Sequence, residues 1–255
     1  ISIMKVKVLA SGSKGNSTLI RTSEVKVLID IGINYQTLAS ELEKLNLTPN
    51  DLDAILITHT HSDHIKGLQV LVKKTNLRVY ALEEMLEELS KKIPLDNIFI
   101  YENPFEIGDL KINIIRISHD VEGVGFIIEH HNHSLVYITD TGYINRRYLP
   151  LMTNKDVYII ESNHDEKMLM EGPYPYILKQ RVISDKGHLS NNTVAEYLLE
   201  ITGTNTKKIV LAHISEKNNT EELAISTTKN LLEEHGIYKD IVVARQYESL
   251  EEIEV

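Results

Sequence analysis

Three histidines and one aspartate fall within six consecutive positions, His59-Thr60-His61-Ser62-Asp63-His64, one residue beyond the apolar run Ala54-Ile55-Leu56-Ile57. A short continuous apolar run of this kind is typical of a strand buried on both faces, so the fold must place a layer on either side of it. Side chains alternate along an extended segment, so His59 and His61 point the same way and can grip one ion. Asp63 and His64, where a helix begins, can turn toward a second. A lone histidine would read as solvated or as a satisfied core residue. This density of imidazole and carboxylate straight after a buried strand reads as a metal site.

Three further strand ends carry the same residue types: Ile117-Ser118-His119-Asp120, Tyr137-Ile138-Thr139-Asp140-Thr141-Gly142 and Leu211-Ala212-His213-Ile214-Ser215. Ligands gather at the ends of strands in α/β sheets. Taken singly, Asp140 reads equally well as a turn cap, and His213 as a buried histidine bonded to a backbone carbonyl. Beside the first motif they complete a ligand set.

The rest of the chain supplies an α/β frame for these residues. Strands are expected at 4–9, 18–21, 25–30, 54–57, 78–81, 107–117, 124–129, 134–139, 157–160, 207–212 and 241–244, the pair around residues 130–133 forming a hairpin. Helices are expected through Leu38, Leu42 and Leu45, at 65–74, 82–92, 167–170 and 176–183, after a cap at Ser190 or Asn191, and from about 220, where Glu221 and Glu222 suit the helix dipole. With 255 residues, no linker and no repeat, a single domain over 4–255 is expected, with residues 1–3 a remnant ahead of the natural start. No apolar window is long enough for a membrane span, and no secretory signal is visible. Zero cysteines exclude disulfides, iron–sulfur clusters and thiolate ligands, and suit a reducing cytoplasm. The net charge of −10 gives no global attraction for polyanions, so any phosphate binding must be local.

The order HxHxDH, a later His, a later Asp at a strand end and a final His resembles the metallo-β-lactamase superfamily over nearly the whole chain. The resemblance implies an αββα sandwich, an α/β (α+β) fold with a dinuclear site at one edge. Carried over residue by residue, it puts His59, His61 and His119 on one metal, Asp63, His64 and His213 on the other, and Asp140 between them. Within the superfamily the text is most similar to the YycJ-like (WalJ-like) group, through residues 11–17 (Ser-Gly-Ser-Lys-Gly-Asn-Ser), Ser118-His119-Asp120, Thr139-Asp140-Thr141-Gly142-Tyr143, Glu161-Ser162-Asn163-His164-Asp165 and Lys186-Gly187-His188-Leu189-Ser190-Asn191. It resembles tRNase Z more distantly, where positions matching Glu161 and His188 assist phosphodiester cleavage. Only 21 positions separate His119 from Asp140 and 73 separate Asp140 from His213, which leaves room for neither a tRNA-gripping arm nor an inserted β-CASP domain. His164 has no counterpart in the tRNase Z pattern and is carried as a possible additional site residue.

The expected activity is therefore a hydrolysis using two divalent ions, Zn²⁺, Mn²⁺ or Fe²⁺, that share a hydroxide. Asp63 would orient that nucleophile, and His188, positioned by Glu161, would protonate the leaving alkoxide. The expected substrate is DNA or RNA, cut from an end. A small thioester, lactone or cyclic phosphodiester is the alternative, and a noncatalytic metal-stabilised partner protein is a third reading. The turn at 11–17 reads equally as an anion-binding nest or a plain tight turn. Lys179, Arg181 and Lys186 read as a solvated face or as a basic rim for a nucleic-acid backbone. His130, His131, His133 and His235 are assigned no role, and the oligomeric state is left open.

Overall fold

The structure is a computed structural model, and it describes residues 2–255. Its strands form two seven-stranded mixed sheets. The first sheet contains β1 (Lys5–Ala10), β2 (Ser17–Arg21), β3 (Lys26–Ile29), β4 (Ala54–Leu56), β5 (Arg78–Ala81) and β6 (Ile98–Ile100). The second contains β7 (Phe105–Ile107), β8 (Leu110–Arg116), β9 (Val124–His130), β10 (His133–Ile138), β11 (Val157–Glu161), β12 (Lys208–Ala212) and β13 (Asp240–Val243). The last strand, β14 (Ile253–Glu254), returns to pair antiparallel with β1, and the Val255 amide donates to the Met4 carbonyl at 2.9 Å, so the ends of the described chain meet in one sheet. Helices α1 (Tyr35–Glu43), α2 (Ser62–Ile65), α3 (Leu68–Thr75), α4 (Leu86–Ser90), α5 (Leu149–Met152), α6 (Glu166–Glu171), α7 (Tyr176–Ile183), α8 (Asn191–Ile201) and α9 (Glu221–Glu234) connect and flank the strands.

Period-two alternation decides the layering. On β10 and β11, Leu135, Tyr137, Val157 and Ile159 join the core between the sheets with Ile20, Val27, Ile29 and Leu56 from the first sheet, the face on which Tyr80 stacks against Phe105 of β7. Their neighbours Val136, Ile138, Tyr158 and Ile160 pack outward on Val194 and Leu198 of α8 and Ala224 and Leu232 of α9. β3, β4, β5 and β6 run parallel, as do β10, β11, β12 and β13. Parallel strands bring their C-terminal ends to one edge, and each sheet therefore delivers its strand-end loops together.

The structure departs from the sequence expectation at several elements. The single strand expected at 107–117 is a hairpin, turned at Gly108, whose φ of +55° lies in the left-handed region. The helix expected at 65–74 is two, α2 and α3, separated at Lys66 and Gly67. A Cβ on Gly67 would lie 2.2 Å from the Ile33 carbonyl oxygen, so the chain passes too close there for a side chain. β6, β7, β14 and α5 were not anticipated, being too short to show a period. Among residues 1–3, Ile1 lies outside the described residues, while the Ser2 hydroxyl lies 2.9 Å from that of Ser23. No helix among the described residues is long and apolar enough to cross a membrane.

Candidate metal centre

β4 ends in the first sheet and feeds Thr58 and His59 into the inter-sheet edge, after which α2 begins with Asp63 and His64 in its single turn. From the second sheet, the chain beyond β8 brings His119, the end of β10 brings Asp140, and the end of β12 brings His213. Asp140 and His213 have φ of 55° and 54°. Non-glycine residues seldom hold this left-handed conformation, and they cluster at functional sites when they do.

The seven side chains singled out by the sequence meet here. His59, His61 and His119 offer three nitrogens within 4.8 Å of one another, and Asp63, His64, Asp140 and His213 form a second such set. Asp140 reaches both: its Oδ2 lies 3.6 Å from His59 Nε2 and 2.7 Å from His64 Nε2, and its Oδ1 lies 3.3 Å from His213 Nε2. Asp63 Oδ2 is 3.3 Å from His64 Nε2 and 3.9 Å from His213 Nε2. Donors about 2.1 Å from one tetrahedral ion stand about 3.4 Å apart, close to most of these separations.

Two observations show that this donor set suits a metal. The imidazoles use one nitrogen outward: Nδ1 of His59 contacts the Thr58 hydroxyl at 3.0 Å, that of His64 the Asp30 carboxylate at 2.6 Å, that of His119 the Lys186 carbonyl at 3.2 Å, and that of His213 Glu161 at 3.2 Å. Such contacts fix the ring and leave Nε2 as the free donor. Meanwhile His59 Nε2 and His213 Nε2 are buried with no hydrogen-bond partner. Unpaired buried polar atoms are costly, and a cation in each donor group would satisfy these two nitrogens.

The charges respond accordingly. Burial drives His59 well below the ordinary imidazole range. For His64 and His213 burial also opposes charge, but Asp30 and Asp140 around the first, and Asp140, Asp63 and Glu161 around the second, override it and hold both well above that range. Burial would raise Asp140, yet His213 and His64 pull it well below the usual carboxylate range. Without a metal, it is the charge on His64 and His213 that answers these carboxylates.

Beside this centre, His188 Nδ1 lies 2.8 Å from Glu161 Oε2 and 3.5 Å from Asp140 Oδ1. Burial opposes its charge, and Glu161 and then Asp140 raise it above the ordinary range. Glu161 is wholly buried at the end of β11. It also accepts from the Leu189 amide, and it is lowered to about 2 because His188 and His213 outweigh its burial. The donor centre and His188 open into a cavity of about 610 Å³. His164 joins neither donor set. It is buried, its burial lowers it to about 4, and its carbonyl accepts from Asn191 while Asn163 donates to the Leu189 carbonyl. That backbone pairing positions the strand-like stretch bearing His188.

The family profile described as "Beta-lactamase superfamily domain" matches residues 26–214. "Exodeoxyribonuclease WalJ" of Streptococcus pneumoniae serotype 2 is 42% identical over 236 residues, covering 89% of this chain and 88% of that protein. The chain belongs to the metallo-β-lactamase superfamily, in its YycJ-like group. "Exodeoxyribonuclease YycJ" of Bacillus anthracis is 40% identical, covering 90% of this chain and 89% of its own. Among solved structures, the metallo-β-lactamase fold protein YhfI from Bacillus subtilis superposes with a TM-score of 0.75 at 19% identity, over 97% of this chain and 99% of that one, and so shares the fold.

Several residues of this metallo-β-lactamase site escaped the sequence reading. Asp30, after β3 with φ of 60°, accepts from the Thr58 amide at 2.8 Å and hydroxyl at 2.6 Å as well as holding His64. An acid straight after a buried strand was the available signal. Asp120 Oδ1 stands 3.2 Å from His61 Nε2 while its Oδ2 accepts from Arg181 at 2.5 Å. The turn at 11–17 is a clamp: Asn16 bonds Gly12 in both directions and reaches Asp63 Oδ2 at 3.3 Å, and the Ser11 hydroxyl accepts from the His213 amide at 2.8 Å. Of the three cations considered for a rim, Arg181 and Lys186 line the cavity, whereas Lys179 turns back to the Met170 carbonyl.

Two outcomes follow from these supports. Asp30→Asn is expected to weaken metal binding about 10- to 100-fold, the usual effect of losing a carboxylate behind a ligating histidine, as read by calorimetric titration of metal-free protein. Gly32→Ala would set a Cβ 1.7 Å from the Asp63 carbonyl oxygen. Overpacking costs about 1–3 kcal/mol or more, so its melting temperature should fall, and an unchanged melt would contradict the close approach.

Proposed function

We propose that this chain is a divalent-metal-dependent phosphodiesterase that shortens a polynucleotide, DNA in the first instance, from an end. The observation that carries this reading is the His188–Glu161 pair, 2.8 Å apart, at the rim of a seven-donor centre. The names of the relatives at 40% and 42% identity support the class of substrate. His59, His61 and His119 would hold one ion and Asp63, His64 and His213 the other, with Asp140 serving both. Two bound divalent ions supply an activated water at neutral pH and offset charge on the phosphoryl oxygens. Zinc, manganese and iron all suit imidazole and carboxylate donors.

The protein's own groups perform the remaining tasks. Asp63, half-buried at the cavity floor and steadied by Asn16, orients the attacking water. Glu161 holds the Nδ1 proton of His188, so the ring presents Nε2 to the cavity and donates a proton to the departing alkoxide. Lys14, Arg181, Lys186 and Lys217 line the cavity against Glu216, a local cationic balance in a chain of net charge −10. The catalytic unit spans residues 4–255, and the absence of cysteine suits a reducing cytoplasm.

The test is a cleavage screen on metal-stripped protein reloaded with Mn²⁺ or Zn²⁺. Its substrates are end-labelled duplex DNA, single-stranded DNA, RNA and methyl p-nitrophenyl phosphate, with His61→Ala as blank. Stepwise shortening of DNA, absent from the blank, is the expected result. Turnover of the small diester with no polymer cut would assign the site to a small substrate, a reading that the overall acidity favours.

A further inference from the structure

One wall of the cavity belongs to a segment that the chemistry above leaves largely unused. Tyr174, Leu178, Arg181 and Val182 line the cavity, the last three at the i, i+3, i+4 spacing of one helix stripe. Yet α7 buries only Val182. Tyr176 is 70% exposed, Ile177 84%, Leu178 36% and the nearby Met170 50%. Exposed apolar side chains of this kind, on α7 and the end of α6, are not explained by core packing.

The wall is nevertheless fixed against the donor centre. The His188 amide donates to the Val182 carbonyl at 2.9 Å, the Ser118 hydroxyl to the Asp185 carbonyl at 2.6 Å, and His119 Nδ1 to the Lys186 carbonyl at 3.2 Å. Arg181 is tied to Asp120, which contacts His61. The apolar surface thus stands at a set position beside the reacting centre, and the same cavity lining carries four cations, Lys14 paired with Glu216 and Arg181 with Asp120, beside the Asp63 and Asp140 carboxylates of the donor centre. A ligand with flat apolar faces strung on an anionic backbone matches both features, and a polynucleotide is such a ligand.

We propose that Tyr174 and Leu178 form a shelf on which nucleobases next to the scissile phosphodiester pack, while Arg181 and Lys186 take the flanking phosphates. The proposal rests on the phosphodiesterase reading. Packing of this type tolerates any sequence, because every base has a π face. It makes the site select polymer bearing bases over backbone alone.

The experiment compares an end-labelled single-stranded DNA with the same strand made abasic at its terminal three positions, using Mn²⁺-loaded protein. The native protein is expected to favour the normal strand by about tenfold or more in kcat/KM, the range of one stacked base. Leu178→Ser should bring the two strands within about twofold, as should Tyr174→Ser, whereas Leu178→Met keeps the preference. A native protein that cuts both strands equally well overturns the shelf alone. So does a serine variant that retains the native preference. A native protein that cuts neither strand overturns the nuclease reading and the shelf together.

Discussion

Asp140→Ala is expected to strip the centre of metal and abolish hydrolysis. Its carboxylate meets both donor sets: its two oxygens lie 2.7 to 3.6 Å from His59, His64 and His213. On the proposed assignment, alanine would remove a donor common to both sites and the negative charge that would offset two dications. Metal activation of water and phosphoryl oxygen contributes several kcal/mol, so at 1.36 kcal/mol per decade the rate should fall about a thousandfold or more. Elemental analysis of the reloaded, desalted variant should find less than one ion per chain. Native metal content with native turnover would remove Asp140 from the centre.

The second large effect separates chemistry from metal binding. His188→Ala should keep its metal, because the two proposed ions are held by other side chains, although His188 also lies within reach of a third donor group with Asp140, Glu161 and His213. It should lose roughly 10²- to 10⁴-fold in kcat, the usual contribution of a positioned proton donor. The loss should shrink on a substrate whose leaving group needs no proton, such as a p-nitrophenyl ester compared with an alkyl diester. Glu161→Gln should behave differently, since Glu161 contacts both His188 and His213 at 2.8 and 3.2 Å. It is expected to lower kcat and metal affinity together. A His188→Ala protein that loses metal as readily as Asp140→Ala would make His188 a ligand instead of an acid.

The contrast between these residues and their supports shows what a sequence discloses. His59, His61, Asp63 and His64 are legible because they follow a buried apolar run, and His119, Asp140, Glu161 and His213 because each lies at or just beyond a strand end. The α/β frame was legible from the helices placed between apolar runs, and the sandwich from the family resemblance that the HxHxDH motif and the later ligands carry. The residues that aim the donors were hidden, because their partners are distant along the chain: Asp30 meets His64 across 34 positions, and Ser11 meets His213 across 202. The turn at 11–17 offered two local readings, and its contact with Asp63 belongs to the tertiary fold. His164 looked like a ligand by type, and only its burial beside Asn163 and its backbone pairing with the stretch at 189–191 reveal its place.

The central claim, that seven side chains form a two-ion centre with Asp140 common to both, is tested most directly by anomalous diffraction from crystals soaked in Mn²⁺ or Zn²⁺. The account predicts two peaks. One should lie within about 2.0–2.2 Å of donor atoms of His59, His61 and His119 and the other of Asp63, His64 and His213, both in contact with Asp140. A fully loaded crystal with a single peak, or with metal at the Asp109–His130–His131 cluster and none among the seven, would contradict it.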